Sequence, residues 1–148
     1  MTPTGGSGPD LVGLLPHRPP FRFVDTVDEL VPGERCVARY RVTGEEAFLA
    51  GHFPGNPVFP GVIQLEALAQ AGAIALLADV RYAGSLPLFG GVDEVRFRRQ
   101  VVPGDELTLT VTMDQLSARA GRATATATVD GQRACNAKLL FVIAPAPA

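Results

Sequence analysis

The stretch Val62–Val80, VIQLEALAQAGAIALLADV, decides the fold. Good helix formers dominate it, no proline interrupts it, and apolar side chains fall on every face. That pattern predicts a long helix from Val62 to about Val80, buried all round. Ala67, Ala69, Ala71, Gly72, Ala73 and Ala75 keep the helix thin, so a sheet or another copy of the helix can approach its backbone closely. The longest apolar segment, Ala67 to Ala78, is broken by Gln70 and is shorter than the roughly 20 residues a bilayer requires.

Outward from the helix, the flanks read as strands. Before it, FRFVDTVDELV and ERCVARYRV flank the turn pair Pro32-Gly33, and Cys36, Ala38, Tyr40 and Val42 alternate with Arg35, Val37, Arg39 and Arg41; this predicts an antiparallel pair. DLVGLL (Asp10–Leu15) is expected as a short helix ended by Pro16, and GEEAFLAG as one helical turn. After the helix come PLFGGVDEVRFRRQVV, ELTLTVTMDQLSA, RATATATVD and QRACNAKLLFVI. The turn signals Pro103-Gly104-Asp105, Ala120-Gly121 and Asp130-Gly131 between them argue a four-stranded meander. The fold class is α+β, a curled antiparallel sheet around a central helix, the arrangement called a hotdog. The 148 residues fit one domain, taken as residues 10–143, with a loose leader over 1–9 and a loose tail over 144–148.

Thirteen basic against fifteen acidic side chains leave a formal net charge of -2, which gives no global attraction to nucleic acid or anionic membrane. Cys36 and Cys135 have no metal-ligand or redox spacing and read as buried thiols of a reducing compartment. No basic segment followed by an apolar stretch opens the chain, so the expected location is cytoplasmic.

The chemistry concentrates in GHFPGNPVFPGVIQLEALAQ, Gly51–Gln70. Prolines at 54, 57 and 60 and glycines at 51, 55 and 61 stiffen the loop at some points and let it turn sharply at others, so it can aim a side chain. His52 is the side chain to aim, since histidine changes charge near neutral pH and can act as a general base. Glu66 lies in the apolar helix with no cation three or four residues away, only Val62, Ile63, Ala69 and Gln70. Burial favours the protonated form of such a carboxyl, which suits it to act as a general acid. Gln70 can orient it. At the helix start, the N–H groups of Gly61 and Val62 have no intrahelical acceptor and lie at the positive end of the dipole, where a carbonyl oxygen gaining charge would be stabilised. Base, acid and oxyanion site together fit proton abstraction beside a carbonyl and loss of a group from the next carbon. No G-x-S-x-G turn, Walker loop or close pair of zinc ligands is present, which argues against a metal.

The same twenty residues resemble the signature of the (3R)-hydroxyacyl-acyl carrier protein dehydratases of FabZ type. LLPHRPPFRFVD and GVDEVRFRRQVVPGDEL are similar to that family's N-terminal and third-strand segments, so the resemblance covers about residues 11 to 143. It implies homodimers with joined sheets, and trimers of such dimers, in which His52 of one subunit meets Glu66 of the other. It implies that His52 removes the C2 proton, Glu66 protonates the leaving C3 hydroxyl or holds it or a water, the Gly61 amide polarises the thioester carbonyl, and Gln70 orients Glu66. Neither cofactor nor metal is implied.

Substrate would arrive on acyl carrier protein, an acidic partner that Arg96, Arg98 and Arg99 could meet, with Val95 and Phe97 facing the core. Phe59, Val62 and Phe89 would help to line the acyl pocket. His17 reads as a structural histidine. Glutamate rather than aspartate at 66 resembles the class that does not isomerise the double bond. The sequence leaves open fatty acid against polyketide synthesis. It also keeps two rival functions: a hotdog thioesterase, and a non-catalytic subunit that binds carrier protein.

Overall fold

The computed structural model describes residues 10–145. The expected leader, residues 1–9, lies outside the described residues, as do 146–148 of the expected tail. Ala144, placed in that tail by the sequence reading, is instead the last residue of a strand and pairs with Leu86.

One long helix, α1 (Gly61–Leu77), is held by a six-stranded antiparallel sheet. The strands are β1 (Thr26–Val31), β2 (Arg35–Arg41), β3 (Leu86–Phe97), β4 (Glu106–Leu116), β5 (Ala120–Val129) and β6 (Gln132–Ala144). Short 3₁₀ turns at Val12–Leu14, Ala47–Ala50 and Val80–Tyr82 complete the order; the first two coincide with the helical turns expected at DLVGLL and GEEAFLAG. This is the hotdog arrangement. Every α1 residue from Gln64 to Leu77 is buried except Glu66, as an apolar-all-round helix requires.

The inward face of β2 is the expected Cys36, Ala38 and Tyr40, and β4 turns Leu107, Leu109 and Val111 inward in the same two-residue rhythm. On β5 the inward residues are small, Ala123, Ala125 and Ala127, and threonines lie between them. That leaves room for α1 to lie close. Gly72 has the same function from the helix side, since a Cβ built there would lie 2.6 Å from the ring of buried Phe141. Both cysteines are buried and free. Burial, helped by nearby Glu29 and Asp28, pushes the Cys36 thiol up to about 12, and burial pushes Cys135 up to about 11, so neither forms a thiolate readily at neutral pH.

Three local expectations are corrected. The sheet order is β1-β2-β4-β5-β6-β3, so only β4, β5 and β6 form a meander. β3 lies on the far side of β6, and residues 98–105 carry the chain back across the open end of the sheet to β4, next to β2. The turn at Pro103-Gly104-Asp105 bonds to Val42, through Gly104 N–H to Val42 O (2.8 Å) and Val42 N–H to Asp105 O (2.9 Å), not back to β3. Ala120-Gly121 is not a turn but the start of β5; Ser117–Arg119 make the turn, with Ser117 N–H donating to Ala120 O at 2.9 Å. Phe97 does not face the core. A register shift between Asp93 and Arg96, with Glu94 at φ 52°, breaks the alternation of β3 and leaves Phe97 52% exposed.

Candidate active site

The loop before α1 is anchored by a carboxylate at its start. Glu46 accepts hydrogen bonds from Tyr40 Oη (2.6 Å), Thr43 N–H (3.1 Å), Thr43 Oγ1 (3.0 Å) and Gly44 N–H (2.8 Å). Burial alone would raise its pKa, but these donors together outweigh that and hold the carboxyl below its ordinary value. A depressed folded-state pKa means stability that is present above the unfolded value, about 4.3, and is lost as pH falls through the folded one. The stability advantage of the wild type over Glu46→Gln is therefore expected at neutral pH and should shrink as pH drops below 4–5 or so. Urea unfolding of both proteins across that range checks it.

His52 follows at the end of this segment. Its ring Nδ1 lies 2.8 Å from the carbonyl oxygen of Val58, and Val58 N–H donates back to the His52 carbonyl at 2.7 Å. With Nδ1–H donated to Val58, the second ring nitrogen, Nε2, is the one left to accept a proton. The ring stacks on Phe53, centroids 4.3 Å apart. Phe59 N–H then donates to Val101 O (2.7 Å), which ties the loop to the segment after β3.

His52 opens onto a groove of about 540 Å³ shared with Pro60, Gly61, Val62, Gln64, Phe97, Arg98 and Arg99. α1 begins here behind Pro60, whose carbonyl accepts from Ile63 and Gln64; the N–H groups of Gly61 and Val62 meet no acceptor among the described residues. A Cβ on Gly61 would come within 2.7 Å of the Phe97 ring, so glycine is what allows the aromatic ring to lie over the helix start. Arg98 and Arg99 stand at the groove, Arg99 paired to Asp105 at 3.3 Å and Arg98 bonded to Asn136 at 2.8 Å, whereas Arg96 is exposed on β3 and, among the described residues, bonds only a neighbouring carbonyl. Phe59 touches the same groove, but its ring is 1% exposed, packed among Phe23, Tyr40 and Phe48 with centroids 5.7–6.3 Å away. It packs into the core and also lines the groove, beside Phe97 and Val62, which is 68% exposed.

Glu66 opens onto a different cavity, of about 350 Å³, with Pro16, His17, Phe21, Leu86, Leu88, Phe89 and Phe141. Among the described residues, none lines both cavities. Phe89, expected in one acyl lining with Phe59 and Val62, lines the Glu66 cavity, whereas those two line the His52 groove.

Gln70, fully buried, spends each polar atom. Its Oε1 accepts from Phe23 N–H (2.7 Å), and its Nε2 donates to Phe21 O (3.1 Å) and to Glu66 Oε2 (3.0 Å). Residues 21–25 are therefore not strand, as the sequence suggested, but a segment pinned to the helix by a glutamine side chain.

No cation lies within helical reach of Glu66, but an imidazole from the N-terminal segment stands beside it. His17 Nε2 lies 3.5 Å from Glu66 Oε2, with the Glu66 side chain 19% exposed. Sequence reasoning read His17 as structural because the 48 residues between it and Glu66 hide the contact; its only sequence signal is the LLPHRPPF segment in which it lies.

A family model described as the FabA-like domain matches residues 15–138. The 3-hydroxyacyl-[acyl-carrier-protein] dehydratase FabZ of Oenococcus oeni is 62% identical over 130 residues, covering 88% of this chain and 94% of its own. The chain belongs to the FabA-like family, among its FabZ dehydratases. The FabZ enzymes of Ligilactobacillus salivarius (49%, covering 88% of this chain and 93% of theirs) and Herpetosiphon aurantiacus (47%, 90% and 95%) are similar to it along nearly the same span.

Among solved structures, the dehydratase heterocomplex ApeI:P from Xenorhabdus doucetiae superposes with a TM-score of 0.75 at 16% identity, over 93% of this chain and 91% of that one. A hypothetical thioesterase with coenzyme A from Streptococcus pneumoniae superposes at 0.63 and 10% identity, over 82% and 87%. Both likenesses bear on the fold alone, and hotdog dehydratases and thioesterases share it. Among the described residues no helix is long and apolar enough to cross a membrane.

Proposed function

We propose that His52 and Glu66 carry out the reaction for which the FabZ relatives are named, dehydration of a 3-hydroxyacyl thioester held on acyl carrier protein in fatty acid synthesis. The observation that carries the assignment is the His52 ring, fixed through Nδ1 by Val58 with Nε2 left to the groove that also holds the Gly61 and Val62 amides. In the proposed step His52 Nε2 takes the proton from C2 while the Gly61 N–H, and Val62 beside it, stabilise the negative charge building on the thioester oxygen. The C3–O bond breaks, the double bond forms between C2 and C3, and the hydroxyl leaves as water with the proton from Glu66. Solvent then removes the proton from His52 and restores that of Glu66. Gln70 holds the carboxyl in place. Neither cofactor nor metal takes part in these steps.

The two groups open onto separate cavities of one protomer, which supports a site completed by two copies: His52 of one and Glu66 of the partner subunit. The outer edge of β3 supports the same reading. It is the last strand of the sheet, twelve residues long, and Leu88, Phe89 and Val92 on it are partly exposed beside Val142 of β6. A homodimer joined along β3 would cover them, and trimers of that dimer are the proposed larger assembly. Arg98 and Arg99 beside the groove support docking of the acidic carrier protein there, with exposed Arg96 further along β3. The proposed location is cytoplasmic.

Incubating a (3R)-hydroxyacyl-acyl carrier protein with the enzyme tests the function. Growth of enoyl-thioester absorbance without release of free thiol is expected. Free thiol would assign a thioesterase, and neither signal would assign a carrier-binding subunit.

A further inference from the structure

His17 is the one group at Glu66 that neither the helix pattern nor the dehydration scheme uses. Its Nε2 faces Glu66 Oε2 at 3.5 Å, the same oxygen to which Gln70 donates at 3.0 Å. The segment carrying it is held in place: Arg18 donates to the carbonyls of Leu15 (2.6 Å) and His17 (2.8 Å), and the His17 ring stacks on Phe21 at 6.3 Å. Among the described residues, Nδ1 of His17 is buried with no hydrogen-bond partner. A ring carrying hydrogen on both nitrogens would leave a buried donor unsatisfied, so the arrangement suits the tautomer with its hydrogen on Nε2, the nitrogen 3.5 Å from Glu66 Oε2.

We propose that His17 is a positioning residue that, with Gln70, fixes which oxygen of Glu66 does the chemistry. This rests on the reading of Glu66 as the acid. With Gln70 donating to Oε2 at 3.0 Å and His17 Nε2 standing 3.5 Å from the same atom, Oε2 is the acceptor, carbonyl-like oxygen of the protonated carboxyl, and the transferable proton sits on Oε1. When that proton leaves with the hydroxyl, the charge left on the carboxylate is met by donors already in place, and no rearrangement accompanies the step. His17 touches no reacting atom. Removing its donor lets the carboxyl turn about its last torsion, and misplacement of this kind lowers the rate of the chemical step without changing how the thioester binds.

The experiment is steady-state dehydration of a (3R)-hydroxyacyl-acyl carrier protein by the full-length protein and three variants, with thermal unfolding of each. His17→Phe keeps the ring and its stacking on Phe21 but has no donor, and is expected to lower kcat by about ten- to a hundredfold. KM should stay within about twofold, the mark of an interaction needed in the chemical step alone. His17→Gln, whose amide nitrogen reaches about as far as the imidazole Nε2, is expected to recover kcat to within a few-fold of wild type. Should the Phe variant fail to fold, His17→Met supplies the donor-free side chain of similar length to Gln.

Equal losses in the donor-bearing and donor-free variants, or a change in KM alone, would overturn the proposal and leave Glu66 as the acid. Glu66→Gln, assayed alongside, separates the two readings: full turnover by that variant would remove the acid role itself, whatever His17 does.

Discussion

Replacing His52 by alanine is expected to reduce kcat for dehydration by about two to four orders of magnitude, the range in which a positioned general base contributes. The fold should survive. The side chain is half-buried at the edge of a groove, and what it gives the folded state is one hydrogen bond to the Val58 carbonyl and stacking on Phe53. A net hydrogen bond is worth about 0.5–1.5 kcal/mol, which in a domain of this size lowers Tm by only about 2–6 °C. A melting curve close to wild type beside a near-total loss of turnover is the expected pair of results. Loss of turnover with collapse of the fold would mean that the loop depends on His52 for its shape. Unchanged turnover would reject His52 as the base.

The second large effect is expected from Glu66→Gln. The amide matches the carboxyl in size, and its oxygen can still accept from Gln70 Nε2, so packing at the half-buried site is kept. What it lacks is an acidic proton to give to the leaving hydroxyl. A loss in kcat of about 10²–10⁴ with KM nearly unchanged is expected, as for an interaction made only in the transition state. Steady-state assays with an acyl carrier protein substrate check it, and full activity would reject Glu66 as the acid.

Much of this architecture is legible in the sequence because it is encoded locally. The helix follows from apolar residues on every face between Gly61 and Leu77, and the β1–β2 pair from the alternation around Cys36, Ala38 and Tyr40. The position of β3 is not legible, because strand pairing is a long-range choice: Pro103-Gly104 looks like a hairpin turn, yet its backbone bonds serve Val42 sixty residues earlier in the chain. Alternation also misleads at Phe97, where an extra residue in β3 changes which face points out and moves an apparent core ring to the mouth of the groove.

The candidate site divides in the same way. His52, Gly61, Val62, Glu66 and Gln70 lie within one contiguous segment, so their grouping can be read from spacing and from the resemblance it carries. His17 reaches Glu66 only after the N-terminal segment has folded back along α1, held there by Gln70 through Phe21 and Phe23; no periodicity links positions 17 and 66. The core packing of Phe59 is hidden for a related reason. A large aromatic in this loop suits a pocket wall and a core equally well; Phe59 lines the groove and also packs on the rings of Phe23, Tyr40 and Phe48, distant in sequence.

The most direct measurement is complementation between two inactive proteins. His52→Ala and Glu66→Gln, each carrying a different affinity tag, are coexpressed and the doubly tagged oligomer is isolated. If each site takes its imidazole from one chain and its carboxyl group from the other, the mixed dimer holds one intact site and one doubly defective site. About half of the wild-type dimer's turnover should return, because intact sites act as units. Turnover no higher than that of either variant alone would contradict a site shared between subunits.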